Sequence, residues 1–155
     1  TGKFMLDDTD RRILRQYQAE PGAPVADLAA RAGVTPSTWG RRLERMERAG
    51  VIEGLEAVID WRALGYEITV SLRFTLDKTV PRAFEDFLEA ARAIPEVLEL
   101  QTFVGRVDVR LLLLARDMGH YQRLYREKIL TLPHIVDIDA LMHIAQIKNE
   151  DRLPL

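Results

Sequence analysis

The apolar residues of this chain first break clearly into long strict alternation near residue 66, and that change constrains the fold more than any other feature. Ahead of it, apolar positions recur at helical spacing in three short segments. Beyond it, nine residues alternate without a break: Ile68, Val70, Leu72, Phe74 and Leu76 on one side, Thr69, Ser71, Arg73 and Thr75 on the other. Strict alternation describes a half-buried strand. A helical module followed by a sheet-containing module is therefore expected.

The first helix is expected in LDDTDRRILRQYQAEPG. Leu6, Ile13, Leu14 and Tyr17 share a face, and Asp7, Asp8 and Asp10 lie at the end where the helix dipole favours negative charge. Pro21 and Gly22 stop it. A short second helix runs through PVADLAARAG, with Pro24 in its first turn and Gly33 as a left-handed terminator. The third is VTPSTWGRRLERMERAGVI, with Thr35 as N-cap, Pro36 as first helical residue and Gly50 at its close. Helices two and three are joined by three or four residues including a glycine, the spacing of a helix-turn-helix. Ala29, Ala30 and Ala32 leave room for close packing.

At about 100° per residue the third helix divides into two faces. Trp39, Leu43 and Met46 form one; Ser37, Arg41, Arg45 and Arg48 form the other, with Thr38 and Arg42 at its flank. Such an outer face suits double-stranded DNA. An arginine fork matches guanine O6 and N7, each good pair giving roughly 1–3 kcal/mol of discrimination. Hydroxyls and free amides at a helix N-terminus can take phosphates. The plainer reading is a solvated face, its arginines partly paired by Glu44 and Glu47. A tight helix-turn-helix in the more basic part of the chain favours DNA. Gly40 lies mid-helix, at a cost of roughly 1 kcal/mol against alanine.

In EGLEAVIDWRALGYE, Leu55, Ala57 and Ile59 alternate, so a short strand is expected over 53–60, with Gly65 ending the connector. The second module then reads β-α-β-β-α-β. ITVSLRFTL is a strand and PRAFEDFLEAARAIPEV an amphipathic helix. VLELQTFV and VDVRLLLLA are strands joined at Gly105-Arg106 by a type II′ turn. GHYQRLYREKILTLP is a helix using Tyr121, Leu124, Tyr125 and Ile129, and IVDIDALMHIAQIK is the last strand. That order is a ferredoxin-like split βαβ. The fold class is thus α+β, a helix-turn-helix followed by a ferredoxin-like αβ-sandwich. One sheet face lies under the helices. The other still carries Leu112 and Leu114, and the last strand offers Ile138, Met142 and Ile144 on one side with Leu141, Ala145 and Ile147 on the other. An apolar open face asks for a partner, and a homodimer packed sheet against sheet is expected. Two recognition helices one DNA turn apart would then read inverted half-sites.

Composition excludes several alternatives. With no cysteine there is no disulfide framework, thiol nucleophile or thiolate metal site. No apolar run reaches membrane-span length, no signal pattern opens the chain, and a cytoplasmic location is expected. Lys and Arg exceed Asp and Glu by two over residues 1–52 and fall short by four over the rest, consistent with modules that have different partners. His120, His134 and His143 lack metal-ligand spacing. No phosphate-cradling loop or Ser-His-Asp pattern stands out. Neither cofactor nor metal is expected.

Taken in order, LDDTDRRIL, LAARAGVTPSTWGRRLERMERAGVIEG, IDWRALGY and IAQIKNEDRLPL resemble the Lrp/AsnC, or feast/famine, transcription regulators from Leu6 to Leu155. The resemblance implies a winged-type helix-turn-helix over 1–52, a connecting strand and linker over 53–65, and an effector-binding, dimerising domain over 66–155. It implies homodimers, often assembled into octamers, that bind an amino acid between subunits. It makes Ser37, Thr38, Arg41, Arg42 and Arg45 the DNA-contacting candidates. The effector region maps to Gly105, Arg106, Val107 and Asp108 and to Asp137, Ile138, Asp139 and Ala140. There the chain departs from the family: a turn that often reads Gly-Asp-Tyr-Asp is Gly-Arg-Val-Asp, and Ile138 and Ala140 stand where threonines are common. Arg106 could bind a carboxylate and Asp108 an ammonium; alternatively the turn is only a hairpin that Asp108 satisfies. Two rival readings remain, a decarboxylase of the haem pathway built on the same plan and a ligand-sensing module without DNA binding.

Overall fold

The structure is a computed structural model describing residues 3–155. It forms two compact units, one running to Val58 and taking in Lys148–Leu155, the other Ile59–Ile147.

The first unit holds three helices: α1 (Asp8–Ala19), α2 (Val25–Ala32) and α3 (Pro36–Arg48). Asp7 caps α1 in a reciprocal capping box with Asp10, so the acidic front satisfies free amides as well as meeting the dipole. Gly33 ends α2 at φ 70, where a Cβ would press on the Arg12 guanidinium at 3.1 Å. The Thr35 hydroxyl accepts from the Thr38 amide and Pro36 opens α3, as the caps predict. Ile13, Leu28, Ala29, Ala32, Trp39 and Met46 form the core, with the Tyr17 ring edge-on to Trp39. Ala30 faces outward and takes no part in it. The expected 66–155 boundary also differs here. The end of the chain lies on α1, where the Gln18 side-chain amide exchanges two hydrogen bonds with the Leu153 backbone and Arg15 Nε donates to the Leu155 carbonyl at 2.7 Å.

The expected strand over 53–60 does not form. Its alternation is real, but among the described residues it pairs with no strand, and Val58 stands fully exposed.

The second unit is a four-stranded antiparallel sheet: β1 (Ile68–Leu76), β2 (Val97–Thr102), β3 (Val109–Ala115) and β4 (Ile135–Met142), in the order β2-β3-β1-β4. The crossovers are α4 (Ala83–Arg92) and α5 (Met118–Leu124), the latter continuing into a π-helical turn at Tyr125–Ile129. The ferredoxin-like order is as expected. Val70, Leu72, Phe74, Leu76, Leu111 and Leu113 pack with Phe87, Ala91, Leu124 and Ile129 beneath the helices, and Phe74 and Phe87 rings lie 4.8 Å apart.

Three details correct the sequence reading. The β2–β3 connection is not a two-residue turn at Gly105-Arg106 but spans 103–108, closed by the Phe103 amide on the Asp108 carbonyl. Residue 108 is drawn instead to β1, its amide bonding the Phe74 carbonyl. The last strand stops at Met142 with one further bond from His143 to Thr69, leaving Ile144 and Ile147 exposed. On the open face Leu112 and Leu114 are buried already, while Leu141 is 40% exposed. The middle of that face is polar: Arg110 donates to Ser71, Glu99 and Gln101, and His143 Nε2 lies 2.7 Å from the Ser71 hydroxyl.

Candidate nucleic-acid interface and effector region

The α3 surface is set by its caps and its partner α1. Trp39 and Met46 point into the core, which turns Ser37, Gly40, Arg41, Glu44 and Arg48 outward. Arg41 carries no ion pair among the described residues, whereas Arg48 meets Glu44 at 2.8 Å, one turn away. Thr38 is half-buried, its hydroxyl accepting from Thr35 at 3.1 Å. Arg42 and Arg45 are engaged with α1. Arg42 binds Asp7 and lies 3.3 Å from one oxygen of Asp10; Arg45 is 2.9 Å from the other. The Arg45 guanidinium also sits 4.9 Å over the Phe4 ring.

Asp10 is wholly buried, and its carboxylate meets two guanidinium groups and the Asp7 amide. The Arg42 guanidinium first, then the Asp10 amide, hold the Asp7 carboxyl down to about 2. The same contact with Asp7 raises the Arg42 pKa. These acids were read from the sequence only as dipole partners. The D-x-x-D spacing at a helix start was the signal for a capping box; nothing in it foretold the arginines, which come from α3.

The second region gathers around the C-terminal end of β1. Thr75 pairs with Asp137 on one side, and its hydroxyl donates to the Arg106 carbonyl on the other. Residues 105–108 and 137–140 therefore flank one strand end. Gly105, at φ 153, and Arg106 are exposed, and Val107 is half-buried. Asp108 is buried and accepts from the Leu76 amide at 2.8 Å and from Lys78 Nζ at 2.7 Å. Burial alone would raise its pKa; Lys78 and the Leu76 amide outweigh that and leave it lowered. Its carboxylate ties the end of the loop to the end of β1 and to Lys78, rather than satisfying a hairpin turn at Gly105-Arg106. Lys78, which completes this pair, was not singled out in the sequence. Asp137 and Asp139 are exposed, while Ile138 pairs with Phe74 and Ala140 with Leu72. No group of three His, Asp or Glu side chains among the described residues could hold a metal ion. No helix among them is long and apolar enough to cross a membrane.

A helix-turn-helix with a capped, arginine-bearing second helix, joined to a βαββαβ unit, defines a two-module DNA-binding regulator. Residues 6–53 match the family model for a winged helix-turn-helix DNA-binding domain, and residues 69–153 match that of the Lrp/AsnC ligand binding domain. The chain belongs to the Lrp/AsnC family of DNA-binding transcriptional regulators. It is 34% identical over 147 residues to the proline dehydrogenase transcriptional activator of Rhodobacter capsulatus, covering 95% of this chain and 96% of that protein. It is 30% identical to the leucine-responsive regulatory protein of Escherichia coli, covering 96% and 90%. A transcriptional regulator of Neisseria meningitidis, solved as a complex with L-methionine, superposes with a TM-score of 0.90 at 27% identity, with 97% of each chain covered. These full-length relatives are regulators, and the chain is one too, not a decarboxylase.

Proposed function

We propose that this regulator reads operator DNA with the outer face of α3, where Arg41 and Ser37 reach outward and Thr38, Arg42 and Arg45 complete the contact surface. The observation that carries the reading is the exposed Arg41 guanidinium, without an ion pair among the described residues, on a helix whose N-terminus is capped by Thr35 and whose opposite face is locked by Trp39. The regulator works as a homodimer packed through the open sheet face, which presents Leu141 and the Ser71–His143–Arg110 network. Its effector is an amino acid taken up at the β1 end between residues 105–108 and 137–140. The L-methionine complex of the Neisseria relative supports that class of ligand. With Asp108 already held by Lys78, the ligand carboxylate falls to exposed Arg106 and its ammonium to Asp137 or Asp139.

A duplex enriched by the wild-type protein from a random-sequence pool tests the DNA-reading part. Arg41→Ala is expected to weaken binding roughly tenfold, toward the lower end of the range for one lost base contact, with no change in melting temperature. Equal affinity would remove α3 from the interface. Calorimetric titration with the twenty amino acids tests the effector: heat from at least one, lost in Arg106→Ala, is expected. Silence from all twenty would overturn that part.

A further inference from the structure

A buried charge between two helices is an expensive way to hold them together. An aspartate with no exposed surface needs every lone pair met, and apolar packing of the same volume is often as stable or more so. Asp10 is such a residue: one carboxylate oxygen faces Arg45 at 2.9 Å, the other Arg42 at 3.3 Å. Asp7 adds a second acid to Arg42. Two acids thus neutralise two of the arginines of α3 and hold their side chains in one direction, against α1. Of the other two arginines, Arg48 meets Glu44, and Arg41 alone has no ion pair among the described residues.

We propose that Asp10 is a positioning residue for DNA recognition: it fixes Arg42 and Arg45 and keeps their charge from binding phosphates indiscriminately. The proposal rests on the reading that α3 faces DNA. Asp10 itself, wholly buried, touches no DNA. A lysine or arginine that neutralises a phosphate releases counterions, so each free cation steepens the fall of affinity with salt by about 0.9 in the log–log slope. Arginines already paired to carboxylates add less of this nonspecific attraction. They can still reach a base or phosphate in a defined geometry, because their rotamers are set beforehand. A plain structural clamp between α1 and α3 would do none of this.

The full-length protein is titrated, across a salt series, against the enriched duplex and against poly(dI-dC), with folding followed by circular dichroism. Asp10→Asn frees Arg45, leaves Arg42 to Asp7, and is expected to steepen the salt slope by about 0.9. The ratio of affinities for the two DNAs should drop roughly tenfold, as for one lost specific contact. Should that variant not fold, Asp7→Asn carries the test. Asp7 is half-exposed; its replacement leaves Arg42 only the longer contact with Asp10, and the slope should steepen by at most about 0.9. An unchanged slope and ratio in the folded variant, whatever its stability, would overturn the proposal. Arg41→Ala separates this from the underlying reading: if it binds like wild type, α3 is not the DNA face and the proposal falls with it. If it binds weakly while Asp10→Asn keeps the wild-type slope and ratio, only the positioning role is lost.

Discussion

The helical unit and the sheet unit solve the same problem with different forces. Beneath α4 and α5 the sheet is sealed by aliphatic and phenyl side chains, from Val70 through Leu113 to Phe87. The helical unit has a smaller apolar core around Trp39 and adds to it a set of polar ties: the Asp7–Asp10 box, the Thr35 cap and the arginine pairs on Asp10. The lesson is that the proposed recognition surface is a by-product of how its module is held. The charge proposed to meet DNA is also charge used in folding, so salt and acid should act on the helical unit through α3 itself.

The largest effects should fall on the cores and should separate the two units. Trp39→Ala and Phe87→Ala are each expected to cost about 3–5 kcal/mol. Trp39→Ala should lower the unfolding transition of the helical unit and leave the β signal in circular dichroism at its wild-type midpoint. Phe87→Ala should do the reverse. A single shared transition that moves with both would break the comparison.

Much of this division was legible in the sequence, because periodicity and caps are local. Thr35-Pro36, Gly33 and Gly50 mark the ends of helices that form there, and the β1 alternation names the residues that enter the core. What was not legible depended on partners far along the chain. The 53–60 segment has the pattern of a strand, but an edge to pair with is a property of the fold. Asp108 was open to an ammonium or to its own turn, and the Leu76 amide at the end of β1 with Lys78 just beyond it takes it instead. Arg45 falls on the outward side of a helical wheel, yet Asp10 and Phe4 draw it toward α1.

Gly40 sharpens the comparison within α3 itself. A Cβ there would meet nothing within 4 Å, so no internal packing requires glycine. Gly40→Ala should therefore raise stability by about 0.5–1 kcal/mol. If DNA approaches this part of the backbone closely, affinity for the enriched duplex should fall at the same time. A gain in stability with unchanged binding would place the DNA elsewhere along the helix.

The smallest effect is expected from acid. The Asp7 carboxyl lies at about 2 against an ordinary 3.8. A depressed folded-state pKa gives stability that is complete above the unfolded value and lost as pH falls toward the folded one. The helical unit should therefore lose this contribution between about pH 4 and pH 2. Asp7→Asn should remove that part of the acid transition in a pH series of thermal melts, leaving the sheet unit unaffected. An identical acid limb in both proteins would show that the exposed pair adds nothing.

Hydrogen exchange of the full-length protein, with and without the enriched duplex, tests the account most directly. The prediction is slowed exchange concentrated in Thr35–Arg48, strongest near the first turns of α3. Protection confined to the sheet unit, with α3 exchanging as in the free protein, would contradict it.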